Sequence, residues 1–270
     1  MLNAGPSGGS PRRRAVVLIA ALLAGAVTAR LGWWQLDRAE QKLDLQARIE
    51  ARGSLPPLPL AQLPIDAAAA GEVHYRPVVL RGRWLADRTV ALDNRQMNAR
   101  QGFYIVTPLL LAPGDAVLVQ RGWMPRDFTD RTQLASVPDQ PGEVLVAGRI
   151  APAPAKLLAL AGADAGPIRQ NLDVIAFSQE IGLPLRPWSV QQTDATRAAP
   201  ATPEAAAAGQ PPLADDRMLR QWPQVAVGVG KHHGYAFQWF ALCALVLGLT
   251  AWFQFLRPRF RPSSPSSPSA

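Results

Sequence analysis

Two adjacent histidines, His232 and His233, are the side chains of this 270-residue sequence best suited to bind a metal. A neutral imidazole ligates haem iron, and neighbouring aromatic rings can cover the macrocycle. Tyr235 and Trp239 follow His232 at i+3 and i+7, so the three side chains share one face of a helix. Adjacent residues point to different faces, so His233 should not ligate the same iron. These positions predict a haem site of His232, Tyr235 and Trp239, with His232 as the iron ligand.

A second interpretation of the two histidines stays open. The run from Lys231 to Gly234 comes just before an apolar stretch of the chain. A polar residue in that place can do no more than cap a helix at a membrane interface. Spacing alone does not separate this role from metal binding.

The other candidate group consists of Trp34, Gln35 and Arg38, at the end of the first apolar stretch. Trp34 and Arg38 are four residues apart, which puts them on one face of a helix. We expect this face to pack on the base of the domain that follows and to fix its height. The alternative is that the motif only anchors the helix at the interface.

Catalytic motifs are not found: the sequence contains no GxxxxGK[ST], no HExxH and no GxGxxG. The only cysteine, Cys243, lies in the second apolar stretch. The middle of the chain therefore has neither a disulfide nor a thiolate metal site. We predict no catalytic residue and no enzymatic activity.

Two apolar stretches, Ala15 to Leu36 and Tyr235 to Leu256, must position these candidates. Each has about the twenty residues that cross a hydrocarbon core. Aromatic residues near their ends are typical of a membrane interface: Trp33, Trp34, Tyr235, Trp239, Trp252 and Phe253. The sequence therefore predicts two transmembrane helices. The alternatives are a signal peptide cleaved after Val27-Thr28-Ala29 for the first stretch and a buried core helix for the second.

The net charge of +8 is concentrated at the outer flanks of these stretches. Region 37–231 is nearly neutral, with 21 Lys and Arg against 20 Asp and Glu. Six of the seven remaining cations lie on the terminal sides of the stretches: Arg12, Arg13, Arg14, Arg257, Arg259 and Arg261. The positive-inside rule then predicts that both termini are cytoplasmic. This distribution favours membrane lipid as a partner and argues against a nucleic-acid-binding face.

The regions between these signals complete the organisation of the chain. We predict a cytoplasmic tail (1–14), a transmembrane helix (15–36), a helical stalk and linker (37–70), an extracytoplasmic β-rich domain (71–194), a flexible low-complexity loop (195–213), a return segment (214–231), a second transmembrane helix (235–256) and a cytoplasmic tail (257–270). The stalk has helical spacing, and the Pro-rich and Ala-rich run after it indicates the linker.

The middle domain shows the period-two alternation of β-strands. Strands are predicted at Val73 to Trp84, Thr89 to Met97, Gly102 to Leu110, Asp115 to Trp123, Glu143 to Ile150 and Arg186 to Gln192. A short helix capped by Asp173 should run to Ile181. The predicted fold class is a membrane protein in which two transmembrane α-helices flank a mainly antiparallel β domain, of barrel or sandwich type.

Five motifs, in order along the chain, resemble the Surfeit locus protein one family. They are Leu31-Gly32-Trp33-Trp34-Gln35-Leu36-x-Arg38-x-x-x-Lys42, Tyr75-Arg76-Pro77-Val78 with Arg81-Gly82-Arg83-Trp84, Gly102-Phe103-Tyr104-Ile105-Val106-Thr107-Pro108, Val119-Gln120-Arg121-Gly122-Trp123-Met124-Pro125-Arg126, and His232-x-x-Tyr235-x-x-x-Trp239-Phe240. The resemblance covers about residues 31–255. It implies a two-span protein of a bacterial inner membrane, with its domain in the periplasm.

The resemblance also implies a function and further site residues. It implies an assembly factor for haem-copper cytochrome c oxidase that binds haem a and aids its insertion into the core subunit. The oxidase core subunit and haem a synthase are the implied protein partners. Arg121 and Gly122, in the fourth motif, become candidates for packing or partner contact. Two alternatives stay open, namely a scaffold that stabilises the core subunit without binding haem, and a membrane-tethered enzyme.

Overall fold

A computed structural model describes residues 11–126, 137, 140–157, 166–200, 214–223 and 228–257 of the chain. The chain divides into two compact units. One joins Met1–Gln46 to Val225–Ala270, and the other is Ala47–Gln224. The first unit contains the two long apolar helices, except for the end of the first of them, and the second contains the β-strands and the short helices.

The first unit is built from two long helices. Helix α1 spans Pro11–Gly53, and helix α4 spans Val229–Ala251 and continues into a π-helical turn, Trp252–Leu256. Both are long and apolar enough to cross a membrane. Large apolar side chains along both helices are exposed, although water does not favour such surfaces. The predicted pair of apolar helices is confirmed, and α1 is unbroken through the predicted stalk.

Small residues on α1 allow the two helices to approach closely. The buried residues of α1 recur at spacings of three, four and seven: Ala21, Gly25, Thr28, Gly32 and Ala39. A Cβ on Gly32 would lie 2.8 Å from the Phe240 ring of α4. The Trp33 ring meets the same Phe240 edge to face, with 5.7 Å between centroids. Without a hydrophobic driving force in lipid, such close packing supplies the helix association.

The second unit holds a sheet of eight strands: β1 (Pro77–Trp84), β2 (Val90–Met97), β3 (Arg100–Ala112), β4 (Asp115–Pro125), β5 (Glu143–Ala151), β6 (Ile168–Arg169), β7 (Leu185–Gln192) and β8 (Arg197–Ala198). Five of them, in the order β1-β5-β7-β4-β3, form a closed ring because β3 also pairs with β1. β2 and β6 extend the sheet beyond β3, and β8 pairs with β5. The predicted β domain is therefore a barrel.

Most strand pairs are antiparallel, as predicted. The pairs β4–β7 and β2–β6 are parallel. The strand β4 lies at the centre of this arrangement and is buried on both faces. Val117 and Val119 belong to the barrel core, while Leu118 packs with Phe177 on the other face. This explains why β4 reads as an almost continuous apolar run.

The short helix α3 (Val174–Ile181) covers the outer face of the sheet. Asp173 caps it as predicted, and its carboxylate accepts hydrogen bonds from the backbone of Ile175 and Ala176 at 3.0 and 3.1 Å. The hydrogen bond from Lys156, together with these two backbone bonds, holds the pKa of Asp173 below its usual value. Gly182 ends the helix in the left-handed conformation, at φ 65°.

Two predictions before the barrel are corrected. The alanine run to Ala70 was expected to be linker and Val73 to begin a strand, but the structure has helix α2 (Ala67–Val73) there. Alanine has the highest helix propensity, and the Asp66 side chain caps the first turn by accepting from Ala69 at 2.8 Å. The strand begins at Pro77.

The residues after the predicted domain also differ from expectation. Met218 and Trp222, in the predicted return segment, are buried against the barrel unit. Leu219 forms a β-bridge with Trp123, with N···O distances of 2.7 and 2.9 Å. Strand β8 falls inside the predicted flexible loop, 195–213, whose residues 201–213 lie outside the described part of the chain.

Candidate functional site

A cavity of about 490 Å³ lies within the first unit, where α4 begins beside α1. Six residues line it: Trp34, Arg38, Gln41, Lys42 and Leu45 of α1, and His232 of α4. The α1 residues recur every three or four positions, so they form one face of that helix. The volume is within the range of small-molecule sites.

His232 is held in the cavity by Gln35. The ring atom Nδ1 donates a hydrogen bond of 2.7 Å to Gln35 Oε1. An amide oxygen only accepts, so in the neutral imidazole Nδ1 carries the proton and Nε2 keeps its lone pair. A hydrogen bond at one ring nitrogen sets which nitrogen can ligate a metal. In this tautomer the contact with Gln35 leaves Nε2 of His232 with a free lone pair that could ligate a metal.

The remaining polar residues of the cavity make it cationic. The guanidinium carbon of Arg38 lies 5.8 Å from the centroid of the Trp34 ring, in a cation–π contact. Arg38 Nη1 also donates to Gln41 Oε1 at 3.1 Å. Lys42 is half-buried one turn further along α1. None of the six lining residues is acidic.

These residues fit a haem group by their chemistry. An imidazole nitrogen supplies the kind of axial ligand that haem iron takes. The Trp34 ring and the Leu45 side chain offer apolar contact, and the two cations offer partners for carboxylates. No group of three or more His, Cys, Asp or Glu that could hold a bare metal ion occurs in the described part of the chain.

The structure brings together some of the predicted haem residues and separates others. His232 lines the cavity, whereas Tyr235 and Trp239 do not. Tyr235 is 52% exposed, and His233 is exposed as well. Trp34, Gln35 and Arg38, predicted from their spacing to pack against a domain, lie instead around His232. Their predicted role in packing stays a prediction.

Arg121 and Gly122 belong to the barrel unit. The buried guanidinium of Arg121 stacks on Trp84, with 4.6 Å from its carbon to the ring centroid. A Cβ on Gly122 would lie 2.7 Å from Cβ of Met218 and 3.0 Å from the Leu219 carbonyl oxygen. Gly122 thus permits the close approach of segment 214–223. Both residues have a packing role inside the unit.

Sequence reasoning missed the pairing of Gln35 with His232. A signal was present, because Ala236, Phe240, Cys243 and Leu247 follow His232 at the spacing of a helix seam. Cys243 donates to the Gly25 carbonyl oxygen at 3.3 Å on that seam. His232 therefore shares the face of α4 that meets α1.

The fold and the candidate site together define the class of this protein. It has two apolar helices long enough to span a membrane, a β-barrel domain between them in the sequence, and a histidine held beside a cationic cavity. The sequence model of the SURF1 family matches residues 22–244. The chain therefore belongs to the SURF1 family.

Several proteins are similar to parts of the chain. Surfeit locus protein 1 of Arabidopsis thaliana is 31% identical over 122 residues, which are 41% of this chain and 34% of that protein. Cytochrome oxidase assembly protein SHY1 of Saccharomyces cerevisiae is 30% identical over 95 residues, 35% of this chain and 24% of that protein. A SURF1-like protein of Rickettsia felis is 27% identical over 115 residues, 42% of this chain and 46% of that protein. The chain spans less than half the length of each of these relatives.

Proposed function

We propose that this protein is an assembly factor for haem-copper cytochrome c oxidase that binds haem a and aids its insertion into the core subunit. The observation that carries the proposal is the hydrogen bond from His232 to Gln35 inside the cavity. Family membership supports the assembly role, since one relative is named a cytochrome oxidase assembly protein. The proposed partners are the oxidase core subunit and haem a synthase.

The chain's own residues would hold and orient the group rather than transform it. His232 Nε2 would ligate the iron, and Gln35 would keep the imidazole in the ligating tautomer. Trp34 would contact the macrocycle. Bound haem supplies a redox-active iron. Delivery requires that the group also leave, so the site would have to open to a receiving protein. We propose a carrier without catalytic residues.

The rival function is a scaffold that stabilises the core subunit without binding haem. An absorption spectrum separates the two. Protein purified in mild detergent from cells that make haem a is expected to show a low-spin haem spectrum, with haem a identified after extraction. Protein from cells lacking haem a synthase is the control and should lack that species. A colourless preparation from haem a-producing cells, obtained with the protein folded, would favour the scaffold.

We also propose that the chain lies in a bacterial inner membrane, with both ends in the cytoplasm and the barrel domain in the periplasm. The two apolar helices and the cations at their terminal sides support this arrangement. Exposed apolar side chains such as Ile19, Leu23, Phe237 and Leu245 would contact lipid.

Reporter fusions test this topology. Alkaline phosphatase fused after Leu213 is expected to be active, because it would lie in the periplasm with segment 214–231. The same enzyme fused after Ala270 is expected to be inactive, because Arg257, Arg259 and Arg261 would hold that end in the cytoplasm. A green fluorescent protein at each site is the matched control and should give the opposite pattern. Phosphatase activity at Ala270 would contradict the proposed hairpin.

A further inference from the structure

The cavity beside His232 is lined by two positively charged side chains. Arg38 and Lys42 both line it, and their Cα atoms are about 6 Å apart along α1, one helical turn. The acidic residues of the same stretch, Asp37, Glu40 and Asp44, do not line the cavity. Two cations therefore face this cavity with no carboxylate lining it.

Neither cation is neutralised by an acidic side chain among the described residues. Arg38 gives one N–H group to Gln41 and rests on the Trp34 ring, contacts that orient the guanidinium and leave most of its five donors for another partner. Lys42 forms no hydrogen bond or ion pair with any residue that the structure describes. A lysine ammonium with no acidic neighbour can form charge-assisted hydrogen bonds with an anionic ligand.

We propose that Arg38 and Lys42 form a subsite for the carboxylates of a tetrapyrrole whose iron is ligated by His232. This inference rests on the proposed function and adds to it the orientation of the ligand. A planar, apolar macrocycle with acidic substituents on one side matches a cavity with an imidazole, an aromatic ring and two cations. Arg38 binds a carboxylate through its planar fork, and Lys42 as a point charge.

The two cations lie on the C-terminal side of Trp34 along α1, beyond its apolar stretch. The acid groups would therefore point away from the apolar part of the helices, and the apolar edge of the macrocycle towards it. This arrangement keeps the charged groups of the ligand out of hydrocarbon, where an unpaired charge is costly.

The test compares iron protoporphyrin IX with its dimethyl ester, in which both carboxylates are neutral. The full-length protein is placed in phosphatidylcholine nanodiscs, and binding is followed by the absorption band of the haem. The wild type should bind the acid about tenfold more tightly than the ester. A tenfold difference in affinity is what about one additional charge-assisted hydrogen bond contributes. The Arg38→Gln/Lys42→Gln variant should bind the acid and the ester equally, each with the affinity that the wild type has for the ester.

Matched variants make the outcome specific. Lys231→Gln removes a positive charge next to His232 from a residue that does not line the cavity, and should keep the preference for the acid. Arg38→Lys should recover part of it. His232→Ala should change the spectrum with both forms and keep the preference for the acid in whatever binding remains.

The results separate this inference from the proposed function. Equal affinity of the wild type for acid and ester, or an unchanged preference in the double variant, overturns the carboxylate subsite and leaves haem binding by His232 intact. No binding of either form overturns both. If the cations serve a lipid phosphate instead, the double variant loses affinity for phosphatidylglycerol while its preference between acid and ester stays that of the wild type, which also overturns the subsite.

Discussion

Under the proposed haem-binding function, replacing His232 by alanine is expected to abolish the low-spin haem spectrum of the purified protein while the protein remains folded and in the membrane. His232 is the only imidazole that lines the cavity, and its Nδ1 bond to Gln35 leaves Nε2 for the iron. The side chain is only half-buried at the start of α4, so its loss should cost little stability compared with a core deletion. The measurement is the absorption spectrum of equal amounts of folded protein.

The matched control is His233→Ala. His233 is exposed and faces about 100° away on an ideal helix, so this variant should keep most of the haem. Loss of haem in His233→Ala alone would mean that the neighbouring residue is the ligand. If the haem content were unchanged in both single variants and in the double variant, neither histidine would be the ligand, and the scaffold function would be favoured.

Two milder substitutions examine how the ligand is positioned. Gln35→Leu should retain haem but with lower affinity, because outer partners of a ligating histidine are worth about 10- to 100-fold in metal affinity. Tyr235→Phe should be silent, since Tyr235 does not line the cavity. If Tyr235→Phe lost as much haem as His232→Ala, Tyr235 would have to belong to the haem site.

Trp188→Ala is expected to give a large loss of stability in the barrel unit, about 3–5 kcal/mol in the free energy of unfolding. Trp188 is fully buried in the barrel core, and its Nε1 donates to the Pro64 carbonyl oxygen at 2.9 Å. The substitution thus leaves a cavity and removes one hydrogen bond between the barrel and the segment after α1. Denaturant unfolding of the full-length protein in detergent, followed by circular dichroism in the β region, measures it.

Two variants separate volume from hydrogen bonding at this position. Trp188→Phe keeps most of the apolar volume, and Pro64 still accepts a bond of 2.8 Å from Arg186 Nη1, so its cost should be well below that of alanine. Ile175→Ala, at a residue 71% exposed on α3, should change stability by less than about 0.5 kcal/mol. A Trp188→Ala variant as stable as Ile175→Ala would contradict the placement of Trp188 in the core.

Local patterns in the sequence determined the elements of this protein. The two apolar helices followed from composition and length, because some twenty apolar residues in a row have few other stable environments. The main strands followed from alternation, since side chains of a strand point to opposite faces in turn. The cap at Asp173 followed from residue type, and the structure confirms it. Helix α2 was missed because a short alanine run is a weak signal by itself and depends on the Asp66 cap.

Tertiary structure decided what no local pattern contains. Closure of the barrel depends on Arg83 and Trp84 of β1 pairing with Leu110 and Leu109 of β3, a contact that alternation along either strand does not specify. The close approach of Met218 to β4 depends on the space that Gly122 leaves. The site itself joins Gln35 to His232 across 197 residues of sequence. Helix spacing showed which residues share a face of one helix, but the register between α1 and α4 comes from packing at Gly25, Gly32 and Phe240, and that register sets which glutamine meets the histidine.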